Sequence, residues 1–91
     1  MKKDFIDPFI KILPQLDLHG ENADSALWLL NDFINMNVKM KKFKLVVIHG
    51  KGAGILKKRV HEYLSKDKRV EKYYIYGFND GLTIVELRKG D

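Results

Sequence analysis

The stretch Lys44-Leu45-Val46-Val47-Ile48-His49-Gly50-Lys51-Gly52-Ala53-Gly54 decides the fold. Its first half is a continuous apolar, β-branched run bounded by Lys44 and His49, the pattern of a strand buried on both faces at the centre of a sheet. Its second half is a glycine turn. From about Gly54, residues Leu56, Val60, Tyr63 and Leu64 recur at helical spacing and predict a helix to near Lys66. A buried strand that passes through glycines into a helix lets bare backbone approach an anion and donate N–H groups to it. Lys57 and Lys58 strengthen this reading, because cations in the first turn oppose the helix dipole unless an anion is expected there. His61 lies among lysines outside the apolar stripe and reads as surface.

A second histidine-glycine turn stands upstream. Leu16 to Leu18 reads as a short strand whose alternation sends the two leucines to one face and Asp17 with His19 to the other. After Gly20, Asn22 is the expected N-cap of a helix running to about Met40. Its stripe is Ala23, Ala26, Leu27, Leu30, Phe33, Ile34 and Val38. Trp28 lies off that stripe, and we expect the apolar N-terminal arm to cover it, the other candidate being a second molecule. Lys39, Lys41, Lys42 and Lys44 crowd the helix end, where positive charge suits the macrodipole. Residues 1–15 mix apolar side chains with Pro8 and Pro14 and form an arm ahead of a domain spanning 16–91.

Downstream, Val70 to Tyr76 and Leu82 to Leu87 are rich in Tyr, Ile, Val and Thr, and a turn containing Gly77, Asn79, Asp80 and Gly81 separates them. They predict an antiparallel hairpin. The order is strand, helix, strand, helix, strand, strand. The expected fold class is therefore α/β, an α+β sandwich of one mixed four-stranded sheet with two helices. A right-handed crossover makes the first two strands parallel and brings their carboxyl ends to one edge, where open α/β sheets bind ligands. Both histidine-glycine turns then meet.

Ninety-one residues suit one domain with one modest core, and an apolar fraction of 45% is enough to fold it. The absence of cysteine excludes disulfides, thiolate nucleophiles and cysteine-ligated metal sites. No continuous apolar run reaches signal-peptide or membrane-span length, so a cytoplasmic protein without a membrane partner is expected. Seventeen Lys and Arg against twelve Asp and Glu, a net charge of +5, favour a polyanionic partner.

The residue types at the two turns suit phosphate chemistry. Histidines 19 and 49 move protons near neutral pH, Lys51 supplies fixed positive charge for a phosphorane-like transition state, and Asp17 can orient an imidazole or accept a proton. Gly50, Gly52 and Gly54, with Lys57 and Lys58, form the expected phosphate cradle. The turn is neither a Walker A loop nor a dinucleotide fingerprint. The carboxylate cluster that usually holds magnesium is absent from both turns, so no metal or other cofactor is expected. RNA is then the easier substrate, since its own 2′-hydroxyl can attack the phosphate. Tyr73, Tyr74, Tyr76 and Phe78 are aromatic candidates for base stacking, with at least half of them expected in the core.

From Leu16 to Leu87, about four-fifths of the chain, the sequence resembles the Smr (small MutS-related) domain, as a standalone member. Leu16-Asp17-Leu18-His19-Gly20 resembles the opening motif of the family. His49-Gly50-Lys51-Gly52 with Gly54 resembles its central glycine turn, and Gly81-Leu82-Thr83-Ile84-Val85-Glu86-Leu87 its final strand. The resemblance implies a mixed sheet with two helices, similar to the C-terminal domain of translation initiation factor three. It also implies nucleic-acid binding and, in many members, endonuclease activity on DNA or RNA. It points to Asp17, His19 and Lys51 as the acting residues, with His49 as an auxiliary. Phe78-Asn79-Asp80 departs from a glycine-rich stretch common before the last strand in the family. Two other functions fit the same features: a noncatalytic module docking on structured nucleic acid or a ribonucleoprotein such as the ribosome, and a protein-interaction domain using Trp28 and the arm.

Overall fold

The β-branched run Lys44–Ile48 takes the centre of the sheet, since its side chains on both faces need cover. In the computed structural model, which describes residues 8–52, 54–76 and 79–90, the elements in chain order are α1 (Pro8–Ile12), β1 (Gln15–Asp17), α2 (Ala23–Lys39), β2 (Lys44–Ile48), α3 (Ile55–Lys66), β3 (Val70–Tyr76) and β4 (Asn79–Leu87). The sheet order is β1-β2-β4-β3. β1 runs parallel to β2 with Leu16 opposite Val47, while β4 pairs antiparallel with both β2 and β3. This is the expected mixed four-stranded sheet.

Alternation along the strands divides the core in two. Leu45 and Val47 of β2 and Val85 and Leu87 of β4 face the long helices, where Ala26, Leu30, Phe33 and Ile34 of α2 and Val60 and Leu64 of α3 seal them from water. Their neighbours Val46 and Ile84 point the other way and meet Ile10 of α1. The short helix is an addition to the two expected. Pro8 opens it, its fixed φ suiting a first helical turn, and Pro14 lies just beyond its end.

The placement of α1 corrects the expectation for Trp28. The described part of the arm packs on the sheet face opposite α2, and Trp28 stays 66% exposed. Residues 1–7 of the arm lie outside the described residues.

The helix ends follow their sequence signals. The Asn22 side chain accepts from the Ser25 N–H at 2.9 Å, capping α2 as expected. At the other end Lys41 takes a left-handed conformation (φ 58°), and the Lys42 N–H reaches the Asn37 carbonyl at 2.8 Å, closing the helix in a Schellman arrangement. The strand limits shifted slightly. Leu18 follows β1, yet its N–H still bonds Ile48 O at 2.7 Å, and β4 begins at Asn79, opposite Tyr76, ahead of the expected start at Leu82.

Candidate functional site

The parallel pairing of β1 with β2 sets Asp17 opposite Ile48, so the chain leaves both strands at one edge and enters the two histidine-glycine turns side by side. They come close together at Gly50. Its φ of 80° favours glycine, and a Cβ built there would lie 3.3 Å from His19 Cβ. The carbonyl of Gly81, just inside β4, accepts from the N–H groups of both His49 (3.0 Å) and Gly50 (3.1 Å), which ties the turn to the hairpin.

Asp17 and His19 form an exposed pair. Asp17 Oδ1 accepts from His19 Nδ1–H at 2.6 Å and from the His19 backbone N–H at 3.1 Å. The side-chain bond fixes the imidazole tautomer and leaves Nε2 as the free ring nitrogen. The same bond holds the Asp17 carboxyl below its ordinary range and lifts the His19 imidazole above its own.

Lys51 and Gly52 are exposed on the turn, and Gly54 (φ 82°) starts α3 as an N-cap that carries no capping side chain. Lys57 and Lys58 follow in the first turn of α3. Among the described residues no carboxylate lies within ion-pair distance of either. Of the expected site residues, Asp17 and His19 are thus brought against the glycine turn at Gly50, while Gly54, Lys57 and Lys58 line a groove on α3. Ala53 lies outside the described residues.

His49 leaves the rim. Only 4% exposed, its Nδ1–H donates to Gly50 O at 3.1 Å and its Nε2 lies 2.8 Å from the Thr83 hydroxyl. The Thr83 oxygen also lies 2.8 Å from His61 Nε2. A neutral His49 that donates through Nδ1 must accept at Nε2. Thr83 then spends its one proton on His49 and accepts from His61 Nε2–H. His61 is thus not a surface residue. It is half-buried, edge-on to the rings of His49 (5.9 Å) and Tyr73 (5.0 Å). Burial pushes both imidazoles below their ordinary pKa, helped by the Lys57 ammonium and, at His61, by His49.

Thr83, His61 and Tyr73 are the site neighbours that the sequence reading missed. The signal was present: Thr83 is the polar member of the inward series Thr83, Val85, Leu87, and such a residue needs a partner. His61 stands three residues before the core residue Leu64, on the edge of the stripe. Of the stacking candidates, Tyr73 faces α3, Tyr76 packs on the α1 side, and Tyr74 donates to Glu86 Oε2 at 2.7 Å. Phe78 lies outside the described residues. Among the described residues, no three His, Asp or Glu side chains converge as metal ligands, and no helix is long and apolar enough to cross a membrane.

Comparison with known proteins identifies the family and the fold. The family model "Smr domain" matches residues 16–88. Over 70 residues the chain is 41% identical to the endonuclease MutS2 of Finegoldia magna, covering 77% of this chain and 9% of that protein. The chain therefore spans about a tenth of the length of the curated relatives it matches. Among solved structures, the Smr domain of Thermus thermophilus MutS2 superposes with a TM-score of 0.82 at 30% identity, covering 84% of this chain and 99% of that one. The stand-alone small MutS-related protein YdaL of Escherichia coli shares the fold, with a TM-score of 0.74 at 23% identity, over 82% of this chain and 64% of that one.

Proposed function

Because the chain belongs to the Smr domain family, we propose that it is an endonuclease that binds nucleic acid and cleaves RNA at the rim where β1 and β2 end. The observation that carries this reading is the Asp17–His19 pair: an imidazole held by its Nδ1, offering Nε2 beside a cationic glycine turn. That relatives bear the name endonuclease MutS2 supports it. The basic rim, the lack of cysteine and the absence of a membrane-spanning helix among the described residues fit a cytoplasmic nucleic-acid partner.

In this reading His19 Nε2 takes the proton of an RNA 2′-hydroxyl. The freed oxygen forms a bond to phosphorus, the P–O5′ bond breaks, and the 5′-oxygen leaves with a proton from water. Lys51 stabilises the charge that builds on the non-bridging oxygens, and the N–H groups around Gly50, Gly52 and Gly54 with Lys57 and Lys58 hold the phosphate. Asp17 keeps His19 in its working tautomer. His49, with both ring nitrogens engaged, positions the turn through Gly50 and moves no substrate proton.

The test incubates the pure protein with labelled RNA and DNA, with and without EDTA, beside His19→Ala and Lys51→Ala. Cleavage should fall about 10²-fold or more in His19→Ala, in the range for loss of a general base. Cleavage at the wild-type rate by both variants would overturn the catalytic assignment. The Asp17 and His19 side chains are 52% and 69% exposed, which suits the noncatalytic alternative of docking on structured nucleic acid or the ribosome. Salt-sensitive binding without cleavage by any form would establish that alternative.

A further inference from the structure

Between α3 and β3 an open groove of about 390 Å³ is lined by Gly54, Lys57, Lys58, His61, Glu62 and Tyr73. It adjoins the glycine turn through Gly54. Two lysines against one glutamate leave it net positive, and it holds a feature the first site lacks. The Thr83 hydroxyl gives its proton to His49 and therefore accepts from His61 Nε2–H, so the tautomer of His61 is set from within the protein. Its Nδ1 is the one ring nitrogen left for a ligand. Protonating Nδ1 converts an acceptor into a charged donor while the Nε2–H bond to Thr83 stays intact. His49 has no such freedom, since a proton on its Nε2 would oppose the Thr83 hydroxyl.

We propose that this groove is a second phosphate subsite for the bound nucleic-acid strand, and that His61 takes up a proton when the phosphate enters. This rests on the reading of the chain as a nucleic-acid-binding protein. The groups facing His61 set the coupling. Lys57 and Lys58 on α3 and His49 at the end of β2 oppose a charge there, Glu62 on α3 favours it, and Tyr73 on β3 and Thr83 on β4 are neutral. In the empty groove the imidazole stays uncharged near neutral pH. An entering phosphate supplies the counter-charge, and by linkage strand binding tightens as pH falls.

The test follows the His61 ring proton by NMR between about pH 5 and 8, free and saturated with a short single-stranded 2′-O-methyl RNA, which lacks the attacking hydroxyl. The His61 midpoint should rise by at least about one unit, matched by about tenfold tighter binding across its titration. His61→Gln should lose that part of the pH dependence of binding, whatever its affinity at the alkaline end. His19 titrates as its own resonance in the same spectra and is read separately. A saturated complex with an unmoved His61 midpoint would overturn the proposal. If the oligonucleotide does not bind at all, the nucleic-acid reading falls, and titration with inorganic phosphate decides the groove. A raised His61 midpoint would keep the phosphate subsite, and an unchanged one would remove it.

Discussion

Gly50 carries two constraints at once: a left-handed φ of 80°, and a hydrogen where a methyl group would press on His19 Cβ at 3.3 Å. Gly50→Ala should therefore destabilise the fold by about 1–3 kcal/mol, read by urea denaturation, and displace the His19 ring as well. Asp17→Asn tests the neighbouring pair. Without the carboxylate the His19 midpoint should move down toward the ordinary imidazole value, and the acidic limb of the pH–rate profile, set by the general base, should move down with it. The motif residues Asp17, His19 and Lys51 were legible in the sequence because strand alternation and turn position fix where such side chains go. The position of His49 was not. Whether a histidine at a strand end turns outward or folds under the sheet depends on a partner 34 residues away, Thr83, and local pattern carries no information about it.

Among the elements, β2, α2, α3 and β3 were readable nearly to the residue, since each is long enough for its period to show. α1 was hidden because five residues give a helical period little room, and its reason for existing is the apolar face formed by Val46 and Ile84. Ile10→Ala should cost about 2 kcal/mol or more by thermal or urea denaturation, in keeping with a buried aliphatic anchor, and leave the Asp17–His19 pair unmoved. The end of α2 offers the opposite test. Lys41 holds a φ of 58° where glycine is the usual occupant, so Lys41→Gly should raise stability by about 1 kcal/mol, seen as a higher melting temperature.

At the scale of the whole molecule, stability responds to pH through its histidines. His49 and His61 have folded pKa values below the ordinary value of 6.5. As pH falls below about 6.5, the unfolded chain binds protons there that the folded chain refuses, and stability drops until the folded groups titrate in turn. His19 acts with the opposite sign: its raised pKa adds stability at low pH, lost as pH rises through its folded midpoint. The solvent exposure of the pair keeps that contribution small. Melting temperatures measured from neutral pH down to about 5 should therefore fall, and fall less steeply in His61→Gln. The Gly81 carbonyl, which takes two N–H groups from the glycine turn, has a further consequence. The start of β4, where Asn79-Asp80 stand in place of a glycine-rich stretch that the family resemblance leads one to expect, is thereby fastened to the backbone that would cradle a phosphate. Exchanging tips between family members should retune the grip on substrate while every motif residue stays the same, a handle for engineering that lies outside the motifs themselves.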